Sequence, residues 1–133
     1  MRLFVTGGAG FIGSNFVRMA LEGRLAGLED ADITVFDALT YSGTLSNLES
    51  VKDSPRFAFV QGDIRDANAV REALPGHDAI VHFAAESHVD RSVHDSRIFV
   101  ETNVLGTQTL LDAALLSTTR WWRLATVLNA QML

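Results

Sequence analysis

The chain has 133 residues, 47% of them hydrophobic, a formal net charge of −5 and a pI near 5.2, which suits one globular domain and leaves little room for a second. An acidic balance offers no basic surface to phosphates strung along a nucleic acid, so that class of function is excluded. The absence of cysteine removes disulfides, thiolate metal sites and a cysteine nucleophile; no apolar run nears the roughly 20 residues of a membrane span and the chain opens on a strand, so a cytoplasmic protein is expected.

The first apolar stretch, Leu3 to Val5, runs into Thr6-Gly7-Gly8-Ala9-Gly10-Phe11-Ile12-Gly13. An amphipathic helix over about 11 to 23 follows at once, with Phe16, Val17, Ala20 and Leu21 at helical spacing. A strand turning tightly into a helix aims the helix's first free N–H groups and the positive end of its dipole out of the turn, a seat for phosphate. Gly7 then permits the turn, Gly10 lets backbone approach a pyrophosphate, and Gly13 lets the helix lie against the sheet. Gly8, Gly10 and Gly13 also satisfy G-x-G-x-x-G, which alone describes many ordinary glycine-rich turns.

A second strand, Ile33 to Phe36, ends in Asp37, about 24 positions past Gly13. That is where a dinucleotide fold places the acid that accepts from the adenosine ribose and repels a 2′-phosphate, favouring NAD over NADP. Residues 38 to 55 read as a connection, with a helical turn over Leu45 to Val51. The third strand is Phe57 to Gln61, followed by Gly62, Asp63 and Ile64; Asp66 caps a helix over 67 to 74, which Pro75 and Gly76 stop. The fourth strand is Ala79 to Phe83. A long helix runs from Asp95 or Ser96 to about Leu116, its apolar side formed by Ile98, Phe99, Val104, Leu105, Leu110, Leu111 and Ala114. Gly106 within it costs roughly 1 kcal/mol relative to alanine, which points to a close packing contact.

Strands alternating with helices predict an α/β fold with a doubly wound parallel sheet of Rossmann type, order 3-2-1-4, and Leu124 to Leu128 as a candidate fifth strand. Ligands of such sheets lie across the carboxyl ends of the strands. Asp63 is placed to accept from an adenine amino group while Ile64 packs on its face, although a solvated acid at a strand end accounts for Asp63 nearly as well. Ala84 and Ala85 are small where a cofactor must pass. His77, His82 and His94 read as loop histidines without a task, and four scattered histidines make no metal site.

These residues resemble the extended short-chain dehydrogenase/reductases and, within them, the nucleotide-sugar 4,6-dehydratases, the dTDP-glucose enzymes above all. Thr6 to Gly13 is common to the superfamily; Asp37-Ala38-Leu39-Thr40-Tyr41-Ser42-Gly43 is similar to the dehydratases' Asp-x-Leu-Thr-Tyr-x-Gly. Ala84-Ala85-Glu86-Ser87-His88-Val89-Asp90-Arg91-Ser92 is the most specific run, and Thr102-Asn103 with Gly106-Thr107 completes the pattern over residues 1 to about 116. The resemblance implies NAD contacts from Phe11, Ile12, Asp37, Ala38, Leu39, Thr40, Asp63, Ile64, Phe83, Ala84, Ala85, Ser87 and Thr102, with Ser87 and His88 also reaching the sugar nucleotide. It implies a homodimer, and a reaction in which sugar C4 is transiently oxidised, water leaves across C5 and C6, and the hydride returns to C6.

The family's base is a tyrosine with a lysine four residues later, and an Asp-Glu pair serves the elimination. The only tyrosine here is Tyr41, the only lysine is Lys52 and the last acid is Asp112, so no catalytic residue is assigned. We expect an NAD-binding domain over 1–116 and a divergent tail over 117–133, with Trp121 and Trp122, as from a truncated or frameshifted reading frame. Large apolar side chains left uncovered would then promote self-association. Three readings stay open: the cofactor half of a dehydratase, a non-catalytic NAD-binding remnant, and another extended short-chain enzyme such as a nucleotide-sugar 4-epimerase.

Overall fold

A computed structural model describes residues 1–87 and 96–117, together with the backbone of 124–126. His88, the run Val89 to Ser92, His94, Trp121 and Trp122 lie outside the described residues, as do the last two positions of the candidate fifth strand.

Strand β1 (Arg2–Thr6) is the centre of a parallel sheet. It pairs on one side with β2 (Asp32–Asp37), Leu3 opposite Ile33, and on the other with β4 (Ala79–His82), Leu3 opposite Ala79. Strand β3 (Phe57–Gln61) flanks β2 and β5 (Leu124–Thr126) flanks β4. The order β3-β2-β1-β4-β5 is the one the alternation of strands and helices predicts.

Alternate side chains of a strand point to opposite faces, and here both faces are covered. Leu3, Val5, Ile33 and Val35 pack with Val17, Ala20 and Leu21 of α1 (Phe11–Leu21) and with Leu48 and Val51 of a 3-10 turn (Leu45–Val51). Phe4, Phe36 and Ile80 point the other way, onto Val70 and Leu74 from α2 (Ala67–Ala73) and its C-cap, and onto Leu110, Ala113 and Ala114. Coverage on both sides is why β1 reads as an unbroken apolar run. The Asp66 side chain accepts from the N–H groups of Asn68 and Ala69, the predicted cap of α2.

The predicted long helix is present but not uniform. It consists of α3 (Arg97–Phe99), a π-helical stretch (Val100–Gly106) and α4 (Thr107–Leu116). Gly106 sits against Ile64, where a β-carbon would come within 2.6 Å of Cδ1, so the close contact inferred from its position is real. The predicted apolar side needs correction. Leu110 and Ala114 are buried, but Val104, Leu105 and Leu111 are 57%, 55% and 41% exposed. A stripe drawn at one helical period does not survive a change of period midway.

At the end of the sheet remote from the strands' carboxyl ends, the Arg56 guanidinium donates to the carbonyls of Leu21, Glu29 and Ala31. It thereby closes the C-terminus of α1 onto the entry to β2. His77 is a further correction to the sequence reading, since it is buried rather than loose in a loop. Its Nδ1 lies 2.8 Å from the Leu74 carbonyl and its Nε2 2.8 Å from Thr34 Oγ1. A carbonyl only accepts, so Nδ1 carries the proton and Nε2 accepts from the threonine. No helix among the described residues is long and apolar enough to cross a membrane.

Candidate functional site

Gly7 ends β1 with φ of +68°, and a β-carbon there would lie 2.4 Å from the Ala84 nitrogen. Only glycine turns the chain here and lets β4's exit pass so close. Helix α1 begins immediately. Gly10 is its N-cap, Ser14 N–H donates the first intrahelical bond to the Gly10 carbonyl, and no side chain caps the helix. The N–H groups of Phe11, Ile12 and Gly13 therefore precede the helical ladder, facing out with the positive end of the dipole.

Gly10 and Gly13 differ in what surrounds them. A β-carbon on Gly10 would have only the Gly7 carbonyl oxygen at 3.4 Å and the Ser42 oxygen at 4.0 Å, which leaves open space in front of the turn. On Gly13 it would meet the Gly7 oxygen at 2.2 Å and Gly8 Cα at 2.8 Å. Gly13 thus lets the helix close on the turn at the very end of β1.

Asp37, at the end of β2, is 7% exposed and tied into the loop. Its Oδ2 accepts from Ala9 N–H and its Oδ1 from Leu39 N–H, each at 2.9 Å. Each oxygen keeps a second lone pair for a ligand hydroxyl. The Leu39 bond also holds that residue at φ of +53°, a conformation costing a leucine on the order of 1 kcal/mol.

These parts enclose a cleft of about 440 Å³ across the carboxyl ends of the strands, of the size used for small-molecule ligands. Of the residues singled out from the sequence, Gly7, Gly10, Phe11, Ile12, Gly13, Asp37, Ala38, Thr40, Asp63, Ile64, Phe83, Ala84, Ala85, Ser87 and Thr102 line it. Leu39 does not. Its side chain packs into the core beneath, and its part is played by the backbone. Phe11, at 89% exposure, offers a bare ring at the mouth.

Other members of the site carried no sequence signal beyond their motifs. Arg65 lines the cleft and grips Asp63, with Nε 3.0 Å from both carboxylate oxygens and Nη2 2.6 Å from Oδ2. The guanidinium beside it holds the Asp63 carboxyl below the usual carboxylate range. Arg65 also lies 3.7 Å from Glu101. Asn103 faces the exit of β4, where its Oδ1 accepts from Glu86 N–H at 2.8 Å and its Nδ2 donates to the Glu86 carbonyl at 2.9 Å.

His82 is the last correction among the histidines. It is the final residue of β4, 4% exposed, with Nδ1 2.6 Å from Thr6 Oγ1 and Nε2 3.1 Å from Thr107 Oγ1. Thr107 gives its hydroxyl proton to the Asn103 carbonyl, so Nε2–H donates to Thr107 and Nδ1 accepts from Thr6. The imidazole joins β1 and β4 to α4 directly behind the cleft, and burial pushes its pKa down. No group of three or more metal-ligating side chains occurs among the described residues.

A parallel sheet wound on both faces, with a cleft at the switch between β1 and β4 and an uncapped helix opening on it, is a Rossmann-type α/β domain. The family model for GDP-mannose 4,6 dehydratase matches residues 4–126, taking in β5. The chain belongs to that family. It is 56% identical over 114 residues to a dTDP-glucose 4,6-dehydratase of Streptomyces niveus, covering 86% of this chain and 34% of that protein. Among solved structures it is similar to the DesIV dTDP-glucose 4,6-dehydratase of Streptomyces venezuelae with NAD and TYD bound, at a TM-score of 0.86 and 55% identity, covering 90% of this chain and 37% of the other. A UDP-glucose 4-epimerase of Thermus thermophilus in complex with NAD is similar at a TM-score of 0.70 and 34% identity, covering 86% and 33%. The chain thus spans about a third of the length of the relatives it matches.

Proposed function

We propose that the cleft binds NAD and that these residues form the cofactor-binding part of a nucleotide-sugar 4,6-dehydratase acting on dTDP-glucose. The observation that carries this reading is the uncapped N-terminus of α1 opening on the same cleft as the buried, oriented Asp37. The N–H groups of Phe11, Ile12 and Gly13 would hold the pyrophosphate, which the space in front of Gly10 admits. Asp37 would accept from the ribose hydroxyls, worth roughly 1.5 to 3 kcal/mol for a charged acceptor, and repel a 2′-phosphate. Ala38, the Leu39 backbone and Thr40 would border the adenosine. Asp63 and Ile64 would meet the adenine, and Phe83, Ala84, Ala85, Ser87 and Thr102 would flank the nicotinamide half. Ser87 and His88 are the proposed contacts to the sugar nucleotide.

Bound there, the nicotinamide supplies reversible hydride acceptance. These residues supply binding and orientation, since the sequence contains no Tyr-x-x-x-Lys. Tyr41 donates to Glu86 and Lys52 pairs with Glu49, each committed elsewhere. Dehydratase is favoured over epimerase by identities of 55–56% to the dehydratases against 34% to the epimerase. A cytoplasmic address and a homodimer belong to the same proposal.

Titration of the chain with NAD and NADP tests the assignment. NAD should bind more tightly than NADP, and Asp37→Ala should weaken NAD by about tenfold or more while narrowing the preference. Unchanged affinity in that variant would remove the ribose contact. Incubation of the 133 residues with NAD and dTDP-glucose should yield no 4-keto-6-deoxy sugar.

A further inference from the structure

Tyr41 and Glu86 belong to the two most specific motifs of the sequence, and the cofactor reading assigns neither a task. The structure joins them: the Tyr41 hydroxyl donates to Glu86 Oε2 at 2.8 Å. Tyr41 stands on the connection that leaves β2, and Glu86 on the one that leaves β4. Those strands are not neighbours. Both pair with β1, one on each side, so their ends are two strand spacings, about 9 to 10 Å, apart. The glycine-rich turn leaves the sheet between them.

Both connections line the cleft, the first through Thr40, Ser42 and Gly43, the second through Ala85, Glu86 and Ser87. The Tyr41–Glu86 bond therefore closes a ring across the end of β1. A ligand reaching from Asp37 to Ala85 crosses the same end of β1 that the bond spans.

The Glu86 end of the tie is anchored. Both backbone polar groups of Glu86 are engaged by the Asn103 side-chain amide, on the π-helical stretch. The Asn103 carbonyl in turn accepts from Thr107, which is bonded to His82 and through it to Thr6 of β1. The Tyr41 end stands on a loop, with the residue 45% exposed. An interrupted helical ladder is a frequent companion of functional sites, and here the interruption presents Asn103 to the β4 exit.

We propose that Tyr41 and Glu86 form a strap across the cofactor cleft, with Asn103 as the positioning residue that holds its Glu86 end, and that opening of the strap gates entry and release of the dinucleotide. The proposal rests on the reading of the cleft as an NAD site. A gate differs from an ordinary ligand contact in its kinetics. Weakening a contact raises the dissociation rate alone, whereas weakening a gate raises association and dissociation rates together and leaves their ratio nearly unchanged.

Stopped-flow binding of NADH to the 133-residue chain, followed by cofactor fluorescence, separates the two. Tyr41→Phe should raise both rate constants about fivefold, with Kd within about twofold of wild type. Glu86→Ala should reproduce that pattern, and Glu86→Gln, which keeps an accepting oxygen, should stay near wild type. Asn103→Ala should speed both rates with the Tyr41–Glu86 pair chemically intact. A Tyr41→Phe chain with unchanged rates, or with faster release and unchanged association, would overturn the strap while leaving the cofactor site standing. Failure of the wild-type chain to bind NADH at all would instead overturn the site, and the strap with it.

Discussion

Two glycines three residues apart do opposite work. The β-carbon of Gly13→Ala would sit 2.2 Å from the Gly7 oxygen, and backbone has nowhere to go. We predict a loss of about 1 to 3 kcal/mol or more in unfolding free energy, read as a lowered denaturant midpoint. Gly10→Ala meets open space, and Gly10 has φ of −76°, which any residue adopts. Its stability should remain within about 0.5 kcal/mol of wild type, so whatever it loses is lost in binding. The spacing of the glycines and the distance to Asp37 were legible in the sequence because backbone geometry demands those residues at those places. That Asp37 also braces Ala9 and Leu39 was not legible, because a carboxylate's partners are set by how the loop folds back on it.

Among the elements, the strands and their order could be read from apolar runs and intervening helices, since a strand covered on both faces has little choice of residue. The last helix could not be read as finely. Its π-helical stretch carries Asn103, which reaches Glu86, and Gly106, which lies against Ile64, contacts between parts of the chain far apart in sequence. The histidines were hidden for the same reason: His82 and His77 each bridge two elements, and nothing local marks a bridging histidine. Both are held neutral by burial, with pKa values pushed below the ordinary 6.5. The unfolded chain therefore binds more protons than the folded one just below that value, and stability must rise with pH there. We predict that thermal stability is flat above pH 6.5 in this respect and declines as pH drops below it. In His82→Gln, which is neutral at every pH, part of that slope should disappear. Thermal melts of both chains across pH 7.5 to about 5 measure it.

For the molecule as a whole, Val100, Val104, Leu111 and Leu115 lie on one side of the last helix and are 53%, 57%, 41% and 83% exposed. A patch of this kind marks an interaction surface or an aggregation liability. Self-association is therefore predicted at tens of micromolar, and sedimentation should show it reduced in a Val104→Lys, Leu111→Lys double variant. That face lies on the far side of the helix from Leu110, Ala113 and Ala114, which pack in the core, so the double variant should keep its fold and its cofactor cleft.

The central claim is that the space before Gly10 is where a dinucleotide's phosphates rest on the bare end of α1. Calorimetric titration of NAD into the wild-type and Gly10→Ala chains, with their melting temperatures measured alongside, addresses it most directly. The account predicts saturable binding to the first, affinity weaker by about tenfold or more in the second, and matching melts. Equal affinity in two equally stable chains would contradict it.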